Sequence, residues 1–160
     1  MSGAGAFNRD YEACGKALAL GLWPESDREA RMRAATDVLW EHLQEKGVSW
    51  LGFYRIDASG EAMTLAVCRP KPACSPIGLH GVCGRAWREK KSQVVDDVHA
   101  LGEGHIVCDP KNRSELVVPC MEPDGSCWGV LDLDSYERGA FSEDDAITLR
   151  AILVHAGLSV

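Results

Sequence analysis

The sequence predicts an α/β (α+β) fold, a central antiparallel sheet with helices packed on a face. Two observations predict it: strand-like segments form two hairpins within the chain, and helical segments stand before and after them. The 160 residues fit a single domain, residues 1–160, that is long enough to bury a sizeable core. Apolar residues at 46% and charged residues at 26% are typical of globular proteins and exclude a disordered chain.

Helical patterns occupy both ends of the chain. In the strongest of them, Ser26 and Glu29 have the spacing of a capping box, apolar residues follow at helical intervals, and Gly47 ends the segment. A second helix start is expected at Ser142, where acidic residues precede another apolar face. Helices are thus predicted at residues 4–22, 26–47 and 82–91 and from residue 142 onward.

Alternating apolar residues and turn sequences predict the strands. A turn at residues 57–60 joins the strands of the first hairpin, and a Glu-Pro-Asp-Gly turn at residues 122–125 joins those of the second. The predicted strands are residues 48–56, 62–68, 94–95, 114–121 and 126–133. Residues 69–79, rich in proline, and residues 96–112 are predicted to be loops, and loops as long as the second are often functional.

Charge and hydropathy limit the possible partners and location. The net charge of −7 argues against a nucleic-acid-binding protein, which usually carries a basic surface. No stretch of about 18 apolar residues predicts a membrane span, and residues 1–10 lack the pattern of a signal peptide. We therefore expect a cytoplasmic protein whose thiols are kept reduced.

The seven cysteines favour redox or catalytic chemistry over a disulfide framework, because their number is odd and the expected compartment is reducing. Cys74 and Cys108 stand in loops. Cys83 stands in the first turn of a predicted helix, whose dipole would stabilise a thiolate. For any single cysteine a small buried side chain remains the simpler interpretation. The core interpretation is preferred for the cysteines at apolar positions, Cys14, Cys68, Cys120 and Cys127.

Acidic and aromatic residues form two further groups. Asp132 and Asp134 alternate with leucines, so both share one face of a strand, and Glu115 begins the preceding strand. They are either exposed carboxylates or the lining of a site for a cationic group, where one acid with a raised pKa could donate a proton. Trp50 and Tyr54 flank Gly52 on one strand face, which indicates either core packing or a cavity for a methyl or thioether group.

Six short motifs together resemble a known family, the free methionine-(R)-sulfoxide reductases, which are stand-alone GAF domains. The motifs occur in this order: WLGFY at residues 50–54, GVCG at 81–84, DVHA at 97–100, GHIVCD at 104–109, SELVVP at 114–119 and GVLDLDS at 129–135. The GVCG and GHIVCD motifs carry most of the specificity.

The resemblance implies reduction of free methionine sulfoxide without a metal or other cofactor. Cys108 would be the nucleophile that becomes a sulfenic acid, and Cys74 would resolve it as a disulfide, with Cys83 as a second or alternative partner. Thioredoxin would reduce the disulfide, and a homodimer is expected. The substrate-binding residues implied by the resemblance are Glu115, Asp132 and Asp134 for the ammonium group and proton transfer, and Trp50 and Tyr54 for the methyl group.

The sequence departs from the family before its first cysteine. A Gly-Pro-Phe-Gln-Gly run is replaced here by residues 67–72, Val-Cys-Arg-Pro-Lys-Pro, which brings Cys68 close to Cys74. Two alternatives stay open beside the reductase. One is a GAF module that binds a small molecule without turnover, and the other is a thiol redox sensor.

Overall fold

The structure is a computed structural model that describes residues 7–21, 26–102 and 109–160. It contains an antiparallel sheet of six strands in the order β3-β2-β1-β6-β5-β4. The strands are β1 Trp50–Ile56, β2 Ala62–Arg69, β3 Ile77–Gly78, β4 Gln93–Val95, β5 Ser114–Met121 and β6 Cys127–Ser135. The helices are α1 Tyr11–Gly21, α2 Arg28–Leu43, α3 Val82–Glu89 and α4 Glu143–His155. The predicted α+β class and both hairpins are confirmed.

One face of the sheet forms the main core with α1, α2 and α4. Leu51 and Phe53 of β1 and Leu131 and Leu133 of β6 are fully buried there. Their spacing of two residues places each pair on the same side of its strand. Burial of a leucine or phenylalanine side chain stabilises a fold by about 1.5–3 kcal/mol relative to its exposure. This face therefore contributes much of the stability.

The opposite face of the sheet is covered by α3 and by the loop that follows β2. Alternation along β1 places Trp50 and Tyr54 on this face, where they form a smaller cluster with Val82 and Cys83 of α3. Gly84 permits the close approach of α3 to the preceding loop, because a Cβ there would lie 2.0 Å from the carbonyl oxygen of Leu79. A short helix thus covers the face that carries the polar residues.

The helix starts confirm one capping prediction and correct another. At α4, Ser142 Oγ accepts a hydrogen bond from the Asp145 amide at 3.2 Å, and the Asp145 carboxylate accepts one from the Ser142 amide at 2.9 Å, which completes a capping box. At α2 the cap is Asp27 rather than Ser26, since the Asp27 carboxylate accepts the Ala30 amide at 2.8 Å. Asp and Ser are comparable N-caps, so the sequence alone does not distinguish these neighbours.

The loops differ from the prediction at two points. The segment predicted as an unbroken loop over residues 69–79 contains β3, whose Ile77 pairs with Met63 of β2. Residues 96–112 include a short 3-10 turn, Val98–Ala100, before residues 103–108, which lie outside the described residues together with the predicted Cys108. None of the helices in the described part of the chain is long and apolar enough to cross a bilayer.

Candidate active site

Three carboxylates lie together on the α3 side of the sheet. Asp132 and Asp134 of β6 point to this side because the leucines between and before them enter the main core. Glu115 of β5 is the register partner of Asp134, and Val117 is that of Asp132. The two-residue alternation that the sequence predicted therefore brings all three acids onto one face.

Burial changes the protonation of these acids. Glu115 and Asp132 are only 8% and 6% exposed. Loss of hydration raises the pKa of both carboxyl groups, and the charge of Asp132 raises the pKa of Glu115 further. The pKa of the half-buried Asp134 is raised by burial and by Asp132. The group thus retains protons at pH values where exposed carboxyl groups have lost theirs.

The hydrogen bonds of Asp132 leave one oxygen unused. Glu115 and Cys83 both donate to its carboxylate, which favours the charged form. Its Oδ1 atom is buried with no hydrogen-bond partner among the described residues. A buried acceptor without a donor costs about 1–3 kcal/mol. An ammonium group bound here would supply both the missing donor and a compensating charge.

Cys83 occupies the predicted position in the first turn of α3, but its expected thiolate is not supported. The residue is 5% exposed. Burial raises the pKa of its thiol well above the ordinary value, and the nearby charges of Asp132 and Glu115 raise it further. These effects outweigh that of the helix dipole, which is of the order of 0.3–1 kcal/mol. Cys83 is therefore a neutral thiol that donates a hydrogen bond to Asp132.

The sulfur of Cys83 and the carboxylates of Glu115 and Asp132 also satisfy one geometric condition for a metal site. Their potential ligand atoms all lie within 4.8 Å of one another. A metal ion would have to displace the protons that the pKa shifts keep on Glu115 and Cys83. The hydrogen bonds to Asp132 account for the cluster without a metal ion.

Trp50 and Tyr54 link the sheet to the loop that carries Cys74. The indole Nε1 of Trp50 donates to the Lys71 carbonyl oxygen at 2.7 Å, and the Tyr54 hydroxyl donates to the Cys74 carbonyl oxygen at 2.7 Å. The two ring centroids are 6.2 Å apart. Both aromatic residues therefore fix the backbone of this loop while their rings stay on the polar side of the sheet.

Gly52 does not leave the open space between these two aromatic residues that the sequence indicated. A Cβ at Gly52 would lie 2.6 Å from Cη2 of Trp50 and 2.8 Å from Cβ of Cys68. The Trp50 ring thus lies over the glycine and fills the space above it. The role of Gly52 is to let the indole lie close to the sheet.

The open space is instead a cavity that Trp50 helps to line. This cavity of about 340 Å³ is bounded on one side by the loop after β2 and on the other by residues just before β5. Its volume falls within the range of small-molecule sites. The described residues that line it are Trp50, Lys71, Pro72, Ala73, Asp109, Pro110, Asn112 and Asp134.

Lys71, Asp109 and Asn112 were not singled out as site residues by the sequence. Lys71 Nζ lies 3.8 Å from Asp109 Oδ2 across the cavity. Asn112 hydrogen-bonds to Asp134, which favours the charged form of that acid. All three are in loop segments without periodicity, so no pattern indicates which way their side chains point. The available signals were the closeness of Lys71 to Cys74 in the sequence and the place of Asp109 as the last residue of the GHIVCD motif.

The cysteines fall into distinct classes. Cys74 is exposed and disulfide-bonded, whereas Cys14, Cys68, Cys83, Cys120 and Cys127 carry free thiols. The predicted core positions of Cys14, Cys120 and Cys127 are confirmed by their burial. That of Cys68 is wrong, because this residue is only half-buried and its thiol donates to the Lys71 carbonyl oxygen at 3.3 Å.

Comparisons with known proteins agree with this architecture. The model of the GAF domain family matches residues 25–160. The free methionine-R-sulfoxide reductase of Escherichia coli is 34% identical over 148 residues, which are 91% of this chain and 81% of the relative. Protein YtsP of Bacillus subtilis is 36% identical over 143 residues, 89% of this chain and 85% of the relative.

A solved structure extends the similarity to three dimensions. The X-ray structure of the free methionine-R-sulfoxide reductase from Neisseria meningitidis in complex with its substrate has a TM-score of 0.81 and 35% sequence identity. The match covers 91% of this chain and 85% of that chain. Sequence and structure thus agree on the resemblance that the motifs indicated, and the chain belongs to the GAF domain family and, within it, to the free methionine-R-sulfoxide reductases.

Proposed function

We propose that the protein reduces free L-methionine (R)-S-oxide to methionine, with cysteine thiols as the source of electrons. The observation that carries the proposal is a single cavity bordered by Asp134, by the indole of Trp50 and by the loop of the disulfide-bonded Cys74. An amino acid with a sulfoxide side chain needs an acceptor for its ammonium group, an apolar surface for its methyl group and a thiol for its oxygen. The names of the E. coli and N. meningitidis relatives support the same substrate.

The acids would bind the ammonium group and supply a proton. Asp134 lines the cavity, and Asp132 beside it has a buried oxygen with no donor among the described residues. Both are suited to an ammonium group. Glu115 has a raised pKa and a proton that it shares with Asp132. We therefore assign to Glu115 the protonation of the sulfoxide oxygen, which makes that oxygen easier to transfer.

Trp50 and Tyr54 would form the apolar part of the site. The Trp50 ring borders the cavity, and both residues are nearly inaccessible to solvent. Their hydrogen bonds to the loop after β2 hold the rings in fixed positions. A methyl group in contact with a fixed indole would leave the sulfur lone pair and the oxygen to face the polar side, which selects one configuration at sulfur.

We assign to Cys108 the role of the attacking thiol in the redox step. Its thiolate attacks the sulfoxide sulfur, the protonated oxygen passes to the cysteine sulfur, and methionine leaves with a lone pair restored to its own sulfur. The Cys74 thiol then attacks the Cys108 sulfenic acid, and the new disulfide forms as water leaves. Each sulfoxide thus oxidises one pair of thiols. The disulfide-bonded state of Cys74 supports its role as the resolving residue.

Cys83 is the second candidate for resolving the sulfenic acid. Cys83 is a residue of α3 whose thiol is neutral and buried, whereas Cys74 is exposed. Thiolates rather than thiols are the attacking species in such reactions. We therefore propose that Cys74 reacts first and that the main contribution of Cys83 is its hydrogen bond to Asp132.

Regeneration and assembly follow from the family resemblance. The exposure of Cys74 supports reduction by an external dithiol protein such as thioredoxin, since an attacking thiol must reach one sulfur of the disulfide. A homodimer and a cytoplasmic location are proposed on the same ground.

Replacement of the nucleophile tests this assignment. We expect Cys108→Ser to abolish turnover of L-methionine (R)-S-oxide with dithiothreitol as reductant, because a hydroxyl cannot accept the oxygen. Without reductant, the substrate should consume a pair of free thiols in the fully reduced wild-type protein and none in the variant, measured by thiol titration.

Cys14→Ala is the matched control, because Cys14 is fully buried in α1 on the other face of the sheet and should not affect turnover. Full activity of Cys108→Ser would overturn the assignment of the nucleophile. A wild-type protein that binds the sulfoxide without loss of thiols would instead be a binding module. One that loses thiols to peroxide but not to methionine sulfoxide would be a redox sensor.

A further inference from the structure

The cavity is lined by side chains of both charges. Asp109 and Asp134 are the acids that line it, and among the described lining residues Lys71 is the one that carries a positive charge. A free amino acid is a zwitterion, so a site that binds only its ammonium group leaves its carboxylate without a partner. Lys71 is the described lining residue whose charge is of the right sign for such a partner.

The backbone of Lys71 is fixed although its side chain is largely exposed. Its carbonyl oxygen accepts hydrogen bonds from the Trp50 indole at 2.7 Å and from the Cys68 thiol at 3.3 Å. The side chain remains 62% exposed and reaches across the cavity toward Asp109. The backbone of Lys71 is therefore fixed beside Trp50, whereas its exposed ammonium group can turn toward a ligand.

Asp109 does not depend on Lys71 for its hydrogen bonds. At 3.8 Å, the distance between Lys71 Nζ and Asp109 Oδ2 is too long for a hydrogen bond. Asp109 Oδ1 accepts the Lys111 amide at 3.0 Å, and Oδ2 accepts the Tyr136 hydroxyl at 3.1 Å. Lys71 can therefore exchange this weak ion pair for a ligand carboxylate at little cost.

We propose that the Lys71 ammonium binds the α-carboxylate of the amino-acid substrate at the mouth of the cavity. The inference rests on the proposed function and adds a specificity residue to it. Lys71 and the buried acids would then bind the two ends of a zwitterion. A methionine sulfoxide within a peptide has neither end, so this arrangement favours the free amino acid.

Binding measurements with matched ligands test Lys71 directly. L-methionine and its carboxamide, L-methioninamide, differ in the carboxylate alone, provided that a mildly acidic pH keeps both amines charged. The Lys71 side chain is 62% exposed, so solvent screens its charge and wild-type protein should prefer methionine by about two- to fivefold in Kd. Lys71→Met should lose most of this preference, by weaker binding of methionine and unchanged binding of the amide, and Lys71→Arg should retain it.

Lys111→Met is the matched control. Lys111 is likewise a lysine close to Asp109 and lowers the pKa of that acid as Lys71 does, but it is not among the residues that line the cavity. The control should keep the preference of the wild type. A preference for methionine that survives in Lys71→Met, or that is lost equally in Lys111→Met, would overturn the inference.

Turnover separates this inference from the proposed function. If Lys71 binds the carboxylate, Lys71→Met should raise KM for L-methionine (R)-S-oxide by a similar factor with a small change in kcat. A protein that reduces the sulfoxide with the same KM in wild type and variant would retain the proposed function and refute the role of Lys71. A wild-type protein that does not reduce it at all would refute the proposed function.

Discussion

The two faces of the sheet are made by the same strands and serve opposite purposes. On the helix-covered face, Leu51, Phe53, Leu131 and Leu133 are fully buried in the main core. On the other face, the alternate residues of β1 and β6 include aromatic side chains and the acids of the candidate site. Apolar burial on one face stabilises the fold, whereas the buried carboxyl groups on the other face lower its stability.

This comparison predicts that changes on the two faces have different consequences. A change on the helix-covered face should alter stability and leave the chemistry of the folded molecules intact. A change on the α3 face should alter chemistry with little loss of stability.

The largest expected effect is on the helix-covered face. Phe53→Ala should lower the free energy of unfolding by about 3–5 kcal/mol, because it leaves a cavity in a packed core where Phe53 stacks on Trp128 at 6.5 Å between ring centroids. Denaturant titration measures the change. The kcat of the molecules that remain folded should stay near that of the wild type, and a large fall in kcat without loss of stability would contradict the division between the faces.

The next effect is on the α3 face. Glu115→Gln removes the proposed proton donor and should lower kcat by at least about a hundredfold, the lower range for general acid catalysis. Its free energy of unfolding at neutral pH should be equal to or higher than that of the wild type, because the substitution removes a buried ionisable group. Steady-state kinetics and denaturant titration on the same preparation measure both quantities.

The pH dependence of stability sharpens this prediction. Burial raises the pKa of Glu115 in the folded protein above its unfolded value, so the folded state binds more protons between the two values. The contribution of Glu115 is therefore present below its ordinary pKa and is lost as the pH rises through the folded-state value. Stability should fall less steeply over this range in Glu115→Gln than in the wild type.

The exposed Glu41 of α2 offers a matched substitution, since Glu41→Gln should leave kcat at the wild-type value. An identical slope in Glu115→Gln and the wild type would mean that Glu115 is not buried in the manner described.

The parts of the fold that the sequence predicted are those set by local periodicity. The strand β5 was predicted with its observed bounds, and the alternation in β6 correctly placed Asp132 and Asp134 on one face. By contrast, β3 has two residues in a proline-rich segment, too few to show a period. Ser26 and Asp27 are adjacent residues of comparable capping ability, so the local sequence does not decide between them.

The parts of the site that were missed depend on contacts between distant segments. The neutral thiol of Cys83 results from Asp132 and Glu115 on other elements, whereas the sequence offered only the local helix dipole. Lys71 became a candidate because it lines the cavity with a positive charge and because Trp50, from the first strand, fixes its backbone. No local pattern encodes either relation.

The most direct test of the account is the consumption of the two sulfur diastereomers of free methionine sulfoxide. Purified protein with dithiothreitol should convert L-methionine (R)-S-oxide to methionine and leave the (S)-S-oxide intact, as resolved by chiral chromatography. The N-acetylated (R)-sulfoxide, which has no ammonium group for the acids, should react far more slowly. Equal consumption of both diastereomers, or of the acetylated and free compounds, would contradict the proposed site.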